Sequence, residues 1–412
     1  MKKITFITIA VLFFQNVAIA QSGQNFLYKA GITDSLYSKN LNEYRKVYVQ
    51  LPESYDPNKK QEYPAAYILD GEVFLPTVSI VQNYYSGGFF PEMVLIGISN
   101  SGNRTRDLTP SKIKTKFGMP FNEESGGADA FYTFIQDELI PYVEDKYPVT
   151  SYRTLIGHSY GGLFTIHTLL KHPDLFANYL AIDPSLDWDN QLLLKQAKEV
   201  LAAQNLSGKS LYMSLSGQLH MQNPKITIDN VMQDTSDFTL FARSNIAFSN
   251  LVKQNRECGL SFEWNFFPED LHGTVVLPSI RKGLMVLFKW FQMEKTEKFN
   301  SPDTPKDEIY NLVKYRANKL KNHFGYKVPP YPEELINMMG YMSLDMRQYE
   351  KSKMFFEFGI EYFPNSPNAY DSMADYYFSR KDSANTLKYV TKAFELSGSE
   401  YYKKRIEELK KK

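Results

Sequence analysis

The sequence predicts an α/β fold, in which a mostly parallel sheet carries helices on both faces, followed by a small all-α region. Short runs that are apolar at nearly every position alternate with longer stretches of helical periodicity. This is the pattern of parallel strands that are covered on both sides. Strand-like runs stop near residue 295, and the chain of 412 residues exceeds one typical domain. We therefore expect a sheet region over 21–294, a linker over 295–305 and a helical region over 306–412.

The sheet region begins with an expected antiparallel pair of strands, at 35–37 and 45–51. The buried strands that follow are predicted at 63–69, 93–98, 153–156, 179–182, 211–215 and 261–267. The helices of this region are predicted at 129–147, 163–171, 191–204, 237–256 and 279–293. In open parallel sheets the functional site lies beyond the carboxyl ends of the strands, so we expect it among the polar residues that follow these runs.

Composition narrows the possible partners and cofactors. The 47 basic and 46 acidic residues leave a net charge of +1, which gives no electrostatic reason to expect nucleic acid or an anionic membrane as a partner. Cys258 is the one cysteine in the sequence, so an intramolecular disulfide is excluded. His-Glu-x-x-His, clustered cysteines and Gly-x-x-x-x-Gly-Lys-Ser/Thr are all absent from the sequence, and we expect neither a metal nor a cofactor.

The N-terminus has the pattern of a cleaved export signal. Lys2 and Lys3 precede an apolar run over 4–14, and Ala18-Ile19-Ala20 forms a small-x-small cleavage site. The run is too short to span a bilayer. We expect residues 1–20 to be removed and the mature protein to be periplasmic or secreted, without a membrane span.

The segment Gly157-His158-Ser159-Tyr160-Gly161 reads Gly-x-Ser-x-Gly between an apolar run and an apolar helical stretch. This context predicts a nucleophile elbow, a sharp turn that holds a serine hydroxyl above the end of the sheet. The two glycines are expected because side chains there would collide with neighbouring backbone. The amide of Tyr160 is the expected oxyanion donor, and the amide of Gly71 or Glu72, after an earlier strand, is the expected second donor.

A serine needs a base, and elimination among six histidines leaves two candidates, His272 and His220. In this architecture the order along the chain is serine, acid, histidine, with the histidine after the last strand. His272 stands in a polar turn at that place and is the preferred base.

The acid is harder to assign, because the segment around Gly217, where it is expected, has no carboxylate. Asp270 or Glu269 could reach the His272 ring locally, and we prefer Asp270. The remaining candidates, in an apparent insertion, are Asp229, Asp234 and Asp237. A Ser-His dyad without an acid also stays open. Two arginines in a loop after a strand, Arg104 and Arg106, are candidates for binding substrate or for tying down their own loop.

Six short phrases occur in order along 30–292, and they begin at Tyr67, Asn103, Gly126, Gly157, Asp183 and Phe267. Together they resemble the putative-esterase family of α/β-hydrolases, which includes siderophore esterases related to enterobactin esterase and relatives of S-formylglutathione hydrolase. The resemblance implies an α/β-hydrolase fold, with Ser159 as nucleophile and His272 as base. The absence of a carboxylate at Gly217-Gln218, where many members carry the acid, brings the siderophore-esterase branch nearer.

The helical region carries a weak internal repeat. Gly340 is matched by Ala374, 34 positions later, and apolar or small residues recur at this 34-residue offset on either side of the pair. The offset equals the period of the tetratricopeptide repeat, which this region resembles. Stacked repeats of this kind present a binding surface, which suggests a protein or peptide partner for these helices.

Two hypotheses follow for the whole chain. The first is an exported serine esterase that acts on a small-molecule ester, with siderophore or carbohydrate-linked acyl esters as candidates. The second is a binding protein with a weak site or none, whose repeats dock a partner. A peptidase is less favoured, because nothing in the sequence indicates a peptide subsite.

Overall fold

The computed structural model describes residues 31–58, 61–116 and 118–411. Its central feature is an eight-stranded sheet. The strands are β1 (Ile32–Ser38), β2 (Glu43–Gln50), β3 (Tyr63–Leu69), β4 (Val94–Ile98), β5 (Val149–His158), β6 (Asn178–Ile182), β7 (Ser210–Ser216) and β8 (Ser261–Phe267). Their order in the sheet is β1-β2-β4-β3-β5-β6-β7-β8. The pairs β1–β2 and β2–β4 are antiparallel, and all other neighbours are parallel.

Helices cover both faces of the sheet, as the predicted α/β class requires. The helices of this region are α1 (Gly71–Tyr85), α2 (Arg104–Leu108), α3 (Ala128–Phe134), α4 (Ile140–Lys146), α5 (Tyr160–Lys171), α6 (Trp188–Ala203), α7 (Leu240–Gln254) and α8 (Val276–Leu287). Apolar side chains of α1 and α8 form the core on one face, and those of α3 to α7 form the core on the other. Every residue of β3, β4 and β6 is buried, which explains their continuous apolar runs.

Helix boundaries differ from the sequence prediction at identifiable places. The predicted helix over 129–147 contains a π-helical turn, Ile135–Leu139, that ends two positions before Pro141. Proline cannot donate to the preceding turn, which loosens the helix there. The element that contains the predicted helix over 191–204 spans Trp188–Ala203, but Asp189, Asn190 and Gln191 have left-handed backbone, so its regular part starts after Gln191, close to the prediction. Helix α1 was missed altogether, because Pro76 lies inside it.

The rest of the chain is helical, as predicted. It contains α9 (Thr296–Asn300), α10 (Lys306–Phe324), α11 (Glu333–Asp345), α12 (Tyr349–Tyr362), α13 (Pro367–Ser379), α14 (Ser383–Ser397) and α15 (Glu400–Lys411). The hairpins α11–α12 and α13–α14 begin at Glu333 and Pro367, the same offset that relates Gly340 to Ala374. Gly340 is needed in the first hairpin, because a Cβ there would lie 2.4 Å from the ring of Phe356. The tetratricopeptide assignment itself stays a prediction.

The predicted linker is not an open spacer. Residues 295–305 include helix α9, and Phe299 is buried against Tyr331 and Phe355. Arg316 of α10 donates to the carbonyl oxygens of Phe291 and Gln292, directly after the sheet region. The helical region therefore packs onto the end of the sheet region. The predicted signal peptide lies outside the described residues.

Candidate active site

Ser159 follows β5 and directly precedes α5, in a strained backbone conformation. Its φ is 59° and its ψ is −114°, a region that residues other than glycine rarely adopt. The turn is fixed from both sides, because the Ser159 amide donates to the Ile182 carbonyl and the Ser159 carbonyl accepts from the amides of Leu163 and Ser185. The hydroxyl is thereby held at the carboxyl end of the sheet.

The glycines around Ser159 do not all serve the same purpose. A Cβ at Gly157 would lie 2.2 Å from the carbonyl oxygen of Gly161, and one at Gly162 would lie 2.9 Å from Pro184. These two positions require glycine. A Cβ at Gly161 would meet its nearest neighbour, Leu69, at an ordinary 3.5 Å. The expectation that Gly161 is needed to avoid a collision is therefore wrong.

His272, in the loop after β8, lies between Ser159 and an aspartate from a different strand end. Its Nε2 is 3.0 Å from Ser159 Oγ, and its Nδ1 is 2.7 Å from Asp183 Oδ2. An ionised carboxylate only accepts hydrogen bonds, so Nδ1 carries the hydrogen and Nε2 is left to accept the serine proton. The arrangement has the geometry of a Ser-His-Asp triad.

Asp183 follows β6 and is fully buried. Its Oδ1 accepts the amide of Ser216, at the end of β7, at 2.9 Å, and its own amide donates to the Ser214 carbonyl at 3.1 Å. Its φ of 43° is left-handed. One carboxylate oxygen is thus fixed by the next strand, and the other is aimed at His272.

Asp183 corrects the acid predicted from the sequence. Asp270 does not contact the His272 ring; its Oδ1 accepts the hydroxyl of Thr274 at 2.9 Å, and its carbonyl accepts the Gly217 amide at 2.8 Å. The acid was expected after β7, where the sequence has no carboxylate, and the preferred Asp270 follows β8, whereas the carboxylate that meets the ring follows β6. The signal was present in the sequence, since Asp183-Pro184-Ser185 directly follows a buried strand.

The other carboxylates and the second histidine also have different partners. Asp234 caps its own turn by accepting from Ser236 and Thr239. His220 accepts the amides of Gln222 and Asn223 through Nδ1, so it faces its own loop. Neither Asp234 nor His220 contacts Ser159. Asp237 begins a short 3₁₀ helix that leads into α7. Asp229 and Glu269 likewise show no contact with the His272 ring.

The two expected oxyanion donors lie at neighbouring helix starts. Tyr160 is the first residue of α5 and Gly71 is the first residue of α1, and first-turn amides have no acceptor within their own helix. A Cβ built on Gly161 would lie within 3.7 Å of Leu69 and Asp70, so the two starts are close together. Gly71 itself must be glycine, because a Cβ there would lie 2.4 Å from Gly97.

Arg104 holds these two helix starts together. Its guanidinium donates to both carboxylate oxygens of Asp70, each at 2.9 Å, and to the carbonyl of His158 at 3.1 Å. Burial raises the pKa of Asp70, and the hydrogen bonds from Arg104 oppose that shift. Arg106 is held by Glu43 and Asp107 instead. The structure thus shows Arg106 tying down its own loop, which was the alternative to substrate binding.

Sequence reasoning missed several residues that contact Ser159 or Tyr160. Ser185 Oγ lies 3.3 Å from Ser159 Oγ. Lys116 donates to the hydroxyl of Tyr160 at 3.0 Å, and its ammonium lies over the rings of Tyr160 and Trp188 at 5.1 and 5.4 Å. A cationic and aromatic wall therefore stands around Tyr160, the residue that directly follows the serine. Lys116 carries no motif that could have identified it in the sequence.

Within residues 31–58, 61–116 and 118–411, no group of three or more potential metal-binding side chains is close enough to hold an ion. Over the same residues, none of the helices has the length and apolar content needed to cross a bilayer.

Known proteins resemble this chain in sequence and in fold. Residues 38–235 match the family model described as putative esterase. The chain is 34% identical over 208 residues to the siderophore enterobactin esterase of Emericella nidulans, covering 45% of this chain and 66% of that protein, just under two thirds. It is 28% identical over 214 residues to ferri-bacillibactin esterase BesA of Bacillus subtilis, covering 48% of this chain and 73% of that protein.

A solved structure extends the likeness beyond the aligned sequences. The crystal structure of an IroE-like serine hydrolase from Shewanella oneidensis superposes with a TM-score of 0.65 at 26% identity, covering 80% of this chain and 99% of that one. This confirms the predicted α/β-hydrolase fold, and the named relatives support carboxylic ester hydrolase activity. Residues 38–235 are therefore similar to the family described as putative esterase, and the two relatives named above are esterases.

Proposed function

We propose that this protein hydrolyses carboxylic esters through an acyl-enzyme on Ser159, with His272 as general base and Asp183 as the residue that orients it. The continuous contact from Ser159 Oγ through His272 to the buried Asp183 carries the proposal. The strained elbow supports it as well, because strain of this kind persists where the surrounding structure holds a functional residue in place.

The steps follow from the hydrogen bonds. Ser159 Oγ attacks the ester carbonyl carbon as His272 Nε2 takes its proton, and the resulting imidazolium is stabilised by Asp183. The imidazolium then protonates the leaving alcohol as its C–O bond breaks. Water attacks the acyl-enzyme in the same way, with His272 taking its proton and returning one to Ser159 as the acid leaves. The amides of Tyr160 and Gly71 would stabilise the oxyanion in both halves.

The alternative of a binding protein without catalytic activity loses its main support. It rested on the absence of a carboxylate near Gly217. Asp183 provides a buried carboxylate from the neighbouring strand end, 2.7 Å from the histidine. The contact that a weak site would lack is therefore present.

For the substrate we propose the ester of a siderophore. The relatives named above are siderophore esterases, and the wall formed by Lys116, Tyr160 and Trp188 presents a cation and aromatic rings around the residue that directly follows the serine. Such a wall favours an anionic, aromatic group through charge attraction and ring contacts. Carbohydrate-linked acyl esters lack that charge and are the second substrate class to test.

We also propose that the protein is exported and that the helical region offers a surface for a protein or peptide partner. The first rests on the N-terminal sequence pattern, and the second on the two paired hairpins that repeat at a fixed offset. N-terminal sequencing of the protein from its native compartment tests the first; an intact Met1 would exclude cleavage.

Ser159→Ala tests the catalytic proposal directly. It should abolish turnover of p-nitrophenyl esters and labelling by a fluorophosphonate probe, because the attacking oxygen is removed. Ser151→Ala is a matched control, since Ser151 is an exposed serine on the same strand, and it should keep both signals. Turnover by Ser159→Ala equal to that of the wild type would refute the proposal.

A substrate screen tests the proposal that the substrate is the ester of a siderophore. Purified protein would be assayed with catecholate and hydroxamate siderophore esters, feruloyl esters, acetylated sugars and simple aryl esters. Siderophore esters should give the highest kcat/KM. A higher kcat/KM for acetylated sugars would contradict the substrate assignment and leave the catalytic one standing.

A further inference from the structure

The main chain of His272 is held from both sides by side chains that the reaction steps do not use. The His272 amide donates to Gln218 Oε1 at 3.1 Å, and the His272 carbonyl accepts from His158 Nε2 at 2.8 Å. A carbonyl only accepts, so Nε2 of His158 carries the hydrogen. We call these two contacts the His272 clamp.

His158 links the clamp to the serine, because it directly precedes Ser159 at the end of β5. Only 8% of His158 is exposed, and its ring packs against the edge of Phe74 and lies 4.6 Å from the ring of His272. Burial, reinforced by the charge of His272, lowers the pKa of His158 to about 4. At neutral pH it therefore donates its hydrogen bond without placing a second positive charge beside the His272 imidazolium.

Gln218 links the clamp to β7. It follows Gly217, whose amide donates to the Asp270 carbonyl at 2.8 Å. A Cβ at Gly217 would lie 2.1 Å from the Pro268 carbonyl oxygen, so the end of β7 packs directly on the loop that carries His272. Gln218 thus occupies the place where the acid was expected, but it binds the backbone of the histidine and leaves the ring to Asp183.

The contact with Asp183 alone does not fix the imidazole. One hydrogen bond at Nδ1 leaves the ring free to pivot about it, and Nε2 must face first the serine and then the leaving oxygen. Fixing the Cα position through the amide and the carbonyl removes that freedom. A displacement of about 1 Å in a catalytic group can cost a rate factor of about a hundred.

We propose that His158 and Gln218 are positioning residues that set the direction of the His272 ring through its main chain. This inference rests on the proposed serine-esterase function. It concerns the rate of the chemical steps rather than the binding of substrate.

The test compares variants that lose and variants that keep each hydrogen bond. His158→Leu removes the donor and His158→Gln retains one; Gln218→Leu removes the acceptor and Gln218→Glu retains one. Each leucine variant should lower kcat about 10- to 100-fold with KM within about twofold of wild type, because geometry and not binding is disturbed. The glutamine and glutamate variants should recover kcat to within about fivefold.

Each kcat is normalised to the fraction of protein labelled by a fluorophosphonate probe, so that misfolded protein does not count. Gln222→Leu, on the same loop and exposed, is the control and should leave kcat unchanged. If His158→Leu does not fold, the Gln218 pair decides the outcome, because Gln218 lies in a half-buried loop position.

Two results would contradict the proposal that His158 and Gln218 position the His272 ring. One is a leucine variant with unchanged kcat per labelled site, or with an effect confined to KM. The other is a His158→Gln or Gln218→Glu variant as slow as its leucine counterpart. Failure of the serine-esterase proposal looks different, since the wild type itself would then neither turn over esters nor label at Ser159.

Discussion

Left-handed backbone occurs at residues other than glycine in both regions of the molecule, with different consequences. At the strand ends of the sheet region, Asp70, Ser159 and Asp183 have φ values of 51°, 59° and 43°. In the helical region, Arg347 and Lys381 each have a φ of 58° and lie at equivalent positions of the two hairpins, between the paired helices. The backbone cost is similar, about 1–2 kcal/mol per residue.

The side chains explain why the cost is tolerated in each region. Ser159 and Asp183 contact His272, and Asp70 binds Arg104. Arg347 and Lys381 are exposed, and they only reverse the chain after a helix. Strain at these three strand ends is therefore coupled to the chemistry, whereas strain in the helical region is a turn that glycine would make more easily. This difference can be tested at several positions.

The largest effect is expected at the acid. Asp183→Asn should lower kcat on the order of 10⁴-fold, because an amide cannot hold the His272 tautomer that accepts the serine proton. Asp270→Asn is the matched control and should stay within about threefold of wild type, since Asp270 contacts Thr274 and not the ring. Steady-state kinetics on one aryl ester measures both. An equal loss of kcat in the two variants would mean that the contact between Asp183 and His272 does not contribute to catalysis.

The next effect concerns packing at the elbow. Gly157→Ala should destabilise the sheet region by about 2–4 kcal/mol, because its Cβ would overlap the Gly161 carbonyl. Gly161→Ala should cost less than about 1 kcal/mol, since its Cβ has room. Urea unfolding followed by near-UV circular dichroism measures both free energies of unfolding. The reverse ranking would contradict the geometry of the turn.

Acid should weaken the sheet region through two buried histidines, His158 and His167, whose pKa values burial lowers from 6.5 to about 4. Between those values the unfolded chain binds protons that the folded chain does not, so stability is full above pH 6.5 and falls as pH drops toward 4. The loss at pH 5 is about 2 kcal/mol for each histidine.

The variant His167→Gln isolates the contribution of one of these two histidines to the pH dependence of stability. The difference in free energy of unfolding between pH 7.5 and pH 5 should shrink by about 2 kcal/mol in this variant. His323→Gln, in the helical region, is the comparison, because His323 is exposed, with its ring stacked on that of Trp290. An unchanged pH dependence in His167→Gln would show that His167 is charged in the folded protein at pH 5.

The smallest effect is expected in the turns of the helical region. Lys381→Gly should stabilise this region by about 0.5–1 kcal/mol, because glycine adopts the left-handed conformation without strain. Lys388→Gly, an exposed position within α14, should instead destabilise by about 1 kcal/mol. Thermal unfolding by far-UV circular dichroism compares them. A loss of stability in Lys381→Gly would mean that the lysine side chain holds the turn.

Much of the fold and part of the site could be predicted from local sequence. Apolar runs identified the buried strands, since residues 63–69 and 261–267 are strands in the structure. The Gly-x-Ser-x-Gly pattern located the turn, and the count of histidines reduced the base to two candidates. These features depend on neighbours within a few positions along the chain, which a sequence displays directly.

The sequence by itself determined the strand pattern, the elbow and the position of a histidine after the last strand. Only the tertiary structure decided which carboxylate meets that histidine, because Asp183 and His272 are 89 positions apart and come together through the pairing of β6, β7 and β8. The same holds for Arg104, Lys116 and Gln218, whose partners lie on other segments. Long-range contacts of this kind depend on strand order and register, which no local periodicity encodes.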